Sequence, residues 1–366
     1  MRIALLTSAN GWRGSGVSYA KLARGLAERG HVAHIVTARA RRTGRLVEEG
    51  LDVTEIPGHD TGRREVLALR SALARIGAQA IVADTPRDVR LSFYATFLHR
   101  ARIVYRYNLN YRRPRVHLMD RVYLSRVAAC VYQSRYIRDD AVGHASWMSR
   151  IPAFHVPNGY DTLRHAPSPD AAAAFRAVHG IPAATRVVMS AAKLTRNKGH
   201  DVAIAALGRV RRNGADLLYV VCGDGHLEGE LAAMARHEQL PALFTGLLTS
   251  EDMIGAYNAA DLVVHPSLQE IFPNAVGEAM SCARPVVAAD AGGTGELLGR
   301  DGTTGVLVPA SDAEALGDAV GALLADPARR RALGAAARRR VETEFPMMRM
   351  IDGYEQALRE VVGNGG

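Results

Sequence analysis

Short β-branched runs followed by helical periodicity recur from one end of this chain to the other, and that alternation leaves few folds open. "RIALLT" leads into a glycine-rich turn and then into "GVSYAKLARGLAERGH", where Val17, Ala20, Ala23, Leu26 and Ala27 share one helical face before Gly30 ends it. "HIVT" reads as the next strand, and "AIVA", "RIVYR" and "AACVYQ" continue the beat. Strands that alternate with helices predict parallel sheets covered on both faces. Around "IPAFHVPNGYDTLRHAPSPD" the pattern breaks into prolines, the turn-type pair Asn158-Gly159 and polar residues, as a linker between domains does. It then restarts with "RVVMSA" as strand, "DVAIAALGRVRR" as helix, and "LLYVVCG", "DLVVHPS" and "RPVVAAD" as strands. "SDAEALGDAVGALLA" opens with Ser311 and has Glu314 three residues on, which predicts a capping box. At 366 residues the chain has the length of about two domains, and two doubly wound α/β domains in tandem is the natural expectation. Two such domains facing each other would make a cleft, with ligands beyond the carboxyl ends of the strands.

Charge is unevenly spread. Residues 1–160 hold 26 Lys and Arg against 12 Asp and Glu, a balance of +14, whereas the remainder holds 20 against 25, or −5. A basic half of this size suits an anionic partner such as nucleic acid, a membrane surface or a phosphorylated substrate. No apolar run reaches the ~18 residues that span a bilayer, and "MRIALLTSAN" is short for a signal peptide, so a cytoplasmic location is expected. Cys130, Cys222 and Cys282 are far apart and form no C-x-x-C pair, which predicts buried free thiols.

Three stretches carry candidate chemistry. After "RVVMSA" comes "AKLTRNKGHD", which holds Lys193 and Lys198, two of only three lysines beside 43 arginines. A compact ammonium there fits a phosphate met as a point charge, and Gly199 lets a helix begin at once, adding the attraction of a helix N-terminus for anions. "NGWRGSGVSY" and "GDGH" are small-residue turns after strands that allow close backbone approach; the first does not match G-x-G-x-x-G and "HIVTARARR" is basic, which argues against dinucleotide binding in the usual style. In "HPSLQEIFPNAVGEAMSCA", Glu270 falls in the loop beyond a strand, and Glu278 falls within a helix that has Pro273 in its first turn. Their spacing and the lack of neighbouring ligands argue against a metal site; as acceptors, the two carboxylates suit sugar hydroxyls.

The paired-glutamate stretch resembles the signature of the retaining family 4 glycosyltransferases, which have the two-domain GT-B fold. "VPNGYD", "KLTRNKG", "FTGLLTSEDMIGAYNAADLVVHPS" and "DAGGTGELL" resemble other segments of that family in order and spacing, and "GWRGSG" and "LAERGH" match more loosely. The resemblance implies an N-terminal acceptor-side domain over 1–160, a C-terminal nucleotide-sugar domain over 161–345, and a helix over 346–366 returning to the N-terminal domain. It implies that Lys193 and Lys198 hold the donor diphosphate and, with Glu270, form the reacting centre. The family more often has arginine at the position of Lys193. Glu278 would bind the ribose, Glu270 with the backbone at Phe272, Pro273 and Asn274 would face the donor sugar, Gly246 and Leu247 would lie near the base, and Gly14 and Gly16 would approach the diphosphate. Where the family often has a histidine, "ARIVYRYNLN" offers Arg106, Tyr107 and Asn108. Acceptor contacts are expected from Arg106 and Asn108, from Asp84, Arg87 and Arg90 in "DTPRDVRLS", and from "NYRRPRVH".

The expected activity is therefore retaining transfer from a nucleoside-diphosphate sugar to a hydroxyl of an anionic or membrane-borne glycan, such as a lipopolysaccharide core, an exopolysaccharide or a lipid-linked glycan. No cofactor or metal is expected, and peripheral contact with an anionic membrane is. A sugar-nucleotide epimerase or hydrolase of the same fold is the alternative. A nucleic-acid-binding protein is disfavoured, because the arginines are dispersed and aromatics are few.

Overall fold

The computed structural model describes residues 1–8, 15–37, 50–58, 61–97, 99–108 and 118–363. Gly14 and the stretch "NYRRPRVH" lie outside the described residues. The chain forms two compact units, Met1–Gly159 with Met347–Gly366, and Tyr160–Pro346.

Among the described residues, the first unit holds β1 (Arg2–Thr7), β2 (Val32–Thr37), β3 (Val53–Glu55), β4 (Ala80–Ala83), β5 (Arg102–Tyr107), β6 (Val127–Tyr132) and β7 (Ala153–His155). They form one parallel sheet in the order β3-β2-β1-β4-β5-β6-β7. Alternation explains why "RIALLT" is apolar almost throughout. Ile3 and Leu5 pack with Tyr19, Leu22 and Leu26 on one face, while Ala4 and Leu6 pack with Leu69, Leu73 and Leu91 on the other. The C-terminal helix Met347–Gly363 belongs to this unit: Met350, Ile351, Tyr354, Ala357, Leu358 and Val361, spaced three and four apart, enter the core of the first face. Fully burying an Ile or Leu such as Ile351 or Leu358 contributes roughly 1.5–3 kcal/mol. Gly25 permits the close approach, since a Cβ there would stand 2.6 Å from the Ile351 side chain.

Among the described residues, the second unit holds β8 (Arg186–Ala191), β9 (Leu217–Cys222), β10 (Ala242–Gly246), β11 (Leu262–His265), β12 (Val286–Ala289) and β13 (Val306–Val308). They form a second parallel sheet, in the order β10-β9-β8-β11-β12-β13. Strand order reverses between β1 and β4 in one sheet and between β8 and β11 in the other. In open sheets of this kind, the crevice beyond the carboxyl ends at that point is where ligands sit.

Three local expectations are corrected. The proline-bearing stretch before Asn158 is not all linker, because Ala153–His155 pairs with β6 as an edge strand. The helix Ala313–Ala325 is capped by Asp312, whose side chain accepts from the Ala315 amide at 2.8 Å, while Ser311 sits at φ 64° outside it. Pro273 is the N-cap of the helix Asn274–Ser281 and not a residue of its first turn. The three cysteines are buried and free, and burial pushes each thiol up to about 12.

Candidate active site

Five loops meet at the carboxyl edge of the second sheet, and backbone hydrogen bonds join them. After β8 the chain turns through Ala192–Thr195 and the single 3₁₀ turn Arg196–Lys198; Gly199, left-handed at φ 66°, then starts the helix His200–Arg212. The loop after β9 locks onto it: Ala192 donates to Cys222 O at 3.1 Å and Leu194 to Asp224 O at 2.8 Å. Gly223 donates to Gly246 O at 2.9 Å, which draws in the loop after β10. From the loop after β11, the Leu268 amide and the Ser267 hydroxyl both donate to Asn197 O, at 2.9 and 3.2 Å. Past β12, the Gly293 amide donates to Glu270 O at 3.2 Å. A Cβ on Gly199 would stand 2.1 Å from Pro266 O, so only glycine lets the β8 and β11 loops touch.

That contact brings Lys198 and Glu270, 72 residues apart in sequence, into an ion pair of 2.6 Å. The same carboxylate oxygen, Oε1, lies 3.0 Å from His265 Nε2 at the end of β11. A carboxylate only accepts, so the imidazole donates through Nε2. Burial alone would push the Glu270 carboxyl up, but the His265 hydrogen bond and charge, followed by Lys198, outweigh it and hold the group down at about 2. Glu270 is thus a fixed anion with two donors on one oxygen. Lys193 stands exposed in the same loop, which leads into the helix His200–Arg212.

Glu278 lies half-buried on the helix Asn274–Ser281 and accepts from the Tyr257 hydroxyl at 3.0 Å. Burial pushes the Tyr257 phenol well above its ordinary value, the Glu278 charge adds to this, and the group stays a donor. The Tyr160 hydroxyl donates to Pro273 O at 3.4 Å, and its ring fills the space where a side chain at Gly277 would sit, the nearest atom being 2.0 Å from an added Cβ. Phe272 is buried edge-on against Phe345, ring centroids 5.4 Å apart, and Asn274 opens the helix. Beyond Gly246, at φ 66°, Leu247 is 63% exposed, an apolar side chain held open to solvent beside these loops.

In the first unit, Gly16 lies buried in the first turn of the helix Ser15–Glu28. Asp84, fully buried at the end of β4, accepts from Arg106 Nη1 at 3.1 Å, Asn108 Nδ2 at 2.9 Å and the Thr7 hydroxyl at 3.2 Å. Arg106, itself 3% exposed, also lies over the Tyr19 ring at 5.4 Å and hydrogen-bonds Tyr354. Asp84 and Arg106 therefore form a sealed ion pair beneath the surface. Arg87 and Arg90 stand apart from it on the helix Pro86–Ala95, Arg87 reaching Gly58 O at 3.5 Å and Arg90 lining an apolar cavity with Tyr105, Tyr107 and Tyr123. Among the described residues no group of three or more His, Cys, Asp or Glu side chains could hold a metal ion.

The two-sheet architecture is that of GT-B glycosyltransferase structures. The Anabaena protein Alr3699/HepE, crystallised in complex with UDP and glucose, superposes with a TM-score of 0.86 over 98% of this chain and 100% of its own, at 21% identity. Residues 172–340, which include all five loops, match the family model of glycosyl transferases group 1. A GDP-mannose-dependent monoacylated alpha-(1-6)-phosphatidylinositol monomannoside mannosyltransferase of Corynebacterium glutamicum is 33% identical over 203 residues, 53% of either protein. The GDP-mannose-dependent alpha-(1-6)-phosphatidylinositol monomannoside mannosyltransferase of Mycolicibacterium smegmatis is 35% identical over 193 residues, 50% of either. The chain spans about half the length of these curated relatives.

Proposed function

We propose that this protein is a retaining glycosyltransferase, moving a sugar from a nucleoside diphosphate to a hydroxyl of a glycan or lipid-borne acceptor. The single observation behind the reading is the Lys198–Glu270 pair at the β8/β11 switch point, at 2.6 Å, beside the exposed Lys193 and the start of a helix. The bond from the anomeric carbon to the diphosphate oxygen breaks, the acceptor oxygen bonds on the same face, and its proton leaves with the diphosphate. Negative charge grows on the departing phosphate, and preorganised cations aimed there are the largest expected contribution to rate. Lys193 and Lys198 take that role, Glu270 and the Phe272–Asn274 backbone hold the sugar, Glu278 holds the ribose, and Leu247 meets the base. The relatives named above are phosphatidylinositol monomannoside mannosyltransferases, which supports a phosphorylated, lipid-borne acceptor for the +14 half of this chain. With Asp84 and Arg106 sealed, acceptor contacts fall to Arg87, Arg90 and Asn108. The site of action proposed is the cytoplasmic face of the membrane, without a metal.

The test is a panel of UDP, GDP, ADP and dTDP sugars with a lipid-linked or phosphorylated acceptor, in buffer containing EDTA, the product's anomeric configuration being read by NMR. Transfer with retention supports the reading. Inversion or a requirement for added metal overturns those parts of it, and product formed equally without acceptor assigns a hydrolase or epimerase.

A further inference from the structure

Helix Pro86–Ala95 ends in an aromatic cluster at the surface of the first unit. Phe93, Tyr94 and the Tyr123 ring of the helix Leu118–Leu124 meet edge to face, with centroids 5.3–5.8 Å apart, and the Tyr94 and Tyr123 hydroxyls lie 3.2 Å from each other. On the helix Leu118–Leu124, Met119 lies four residues before Tyr123 and three before Val122, and so shares a face with each. The apolar rim is open to solvent in large part: Phe97 is 71% exposed, Met119 51%, Tyr94 43% and Val122 42%. Arg126 is folded over this surface, its guanidinium 5.9 Å from the Phe93 ring and 5.5 Å from the Phe97 ring, and Arg121 is exposed beside it. Within 91–97 and 118–126 the one acid is Asp120, against the two arginines Arg121 and Arg126.

Connectivity fixes where this face lies. Phe97 follows a helix that runs back from the end of β4, five residues before β5 begins, and Arg126 immediately precedes β6. The face is therefore at the amino ends of the strands, away from the carboxyl edge where this fold takes ligands. Exposed Phe, Tyr and Met set among arginines have the composition of an interfacial membrane contact, in which rings enter the headgroup region and cations meet anionic lipid. No helix among the described residues is long and apolar enough to cross a bilayer. We infer that this face docks the protein on an anionic bilayer surface.

The inference concerns where the protein sits and is independent of where the acceptor binds; its assay reads binding without turnover, so failure of one and failure of the other appear in different measurements. The full chain is sedimented with vesicles of phosphatidylcholine alone and of an equimolar phosphatidylcholine–phosphatidylglycerol mixture. Preferential binding to the mixture is expected. Phe97→Ser with Met119→Ser should weaken it at least tenfold, and Arg121→Glu about fivefold or more, since each arginine near an anionic surface counts for about that much. Because these side chains are exposed, thermal melts of the variants should match the parent, and a second double variant, Leu67→Ser with Val178→Ser, both 60% or more exposed elsewhere, should bind like the parent. Equal binding to both vesicle types, full binding by F97S/M119S, or a dimer in sedimentation velocity that F97S abolishes would overturn the assignment, the last by giving the face to a second copy of the chain.

Discussion

Gly199→Ala is the substitution that most sharply tests how the candidate site is held. Two costs can be separated at this position. Its backbone sits at φ 66°, ψ 24°, where a Cβ costs roughly 1–2 kcal/mol. An added methyl would also stand 2.1 Å from Pro266 O and 3.0 Å from Pro266 C, atoms of the main chain that cannot rotate away. Forcing such a contact apart costs typically 1–3 kcal/mol, so the total is about 2–5 kcal/mol. For a unit of this size, each kcal/mol moves Tm by about 2–4 °C, which predicts a fall of roughly 4–20 °C for the second unit. Gly180→Ala is the matched control: its φ is 61°, and nothing lies within 4 Å of the added Cβ, so it incurs only the backbone cost. Urea unfolding followed by tryptophan-independent circular dichroism gives both values. Since Lys198 precedes Gly199 and Glu270 follows Pro266 by four residues, the displaced loops should also part the 2.6 Å ion pair and weaken nucleotide-diphosphate binding in calorimetry by tenfold or more. Equal destabilisation by the two alanines, with nucleotide affinity intact, would refute the claim that the Gly199–Pro266 contact positions the cation.

Other outcomes follow from the same geometry. Lys198→Ala should lower turnover by about a hundred- to a thousandfold with the chain still folded, measured as nucleotide release in steady state. Tyr257→Phe removes the donor 3.0 Å from Glu278; the donor KM should rise while kcat stays near the parent value, and stability should fall by about 1 kcal/mol in urea titration. The Glu270 carboxyl has a folded pKa of about 2, below its ordinary 4.5, so its contribution to stability is complete above about pH 5 and is lost as pH falls from 4.5 towards 2. Asp88, raised by burial to about 6, acts in the opposite direction between its ordinary value and pH 6, so the measurement is the stability difference between parent and Glu270→Gln, which should shrink below pH 4.5. A difference that stays constant down to pH 3 would remove the ion pair from the account.

Much of the fold was legible because parallel strands buried on both faces leave a strong local mark. "RVVMSA" is β8 to the residue, with Val187 and Met189 on one face and Val188 on the other. The three-residue strands β3, β7 and β13 left none: each lies at a sheet edge, paired on one side, and too short to show alternation. The cap at Asp312 was missed by one residue because "SDAE" offers two capping side chains in succession, and only the left-handed backbone at Ser311 decides between them.

The site divides in the same way. Lysines in an arginine-rich chain and a glutamate just past a strand are local signals, and the doubly wound topology turns "just past a strand" into a place in space, so Lys198 and Glu270 could be assigned to one edge before their contact was seen. What tunes them carries no such signal. His265 read as one residue within a strand, Tyr160 as part of a linker, and Tyr257 only as part of the run before the glutamates; their roles exist only through contacts at 3.0 Å to Glu270, 3.4 Å to Pro273 O and 3.0 Å to Glu278. Asp84 and Arg106 show the converse, since charged residues after strands look like ligand contacts until burial is known, and here each satisfies the other at 3.1 Å. A chain can thus announce which loops do the chemistry while hiding how their charges are set, because loop position follows from periodicity, whereas protonation and orientation depend on partners that strand order, and not sequence order, brings near.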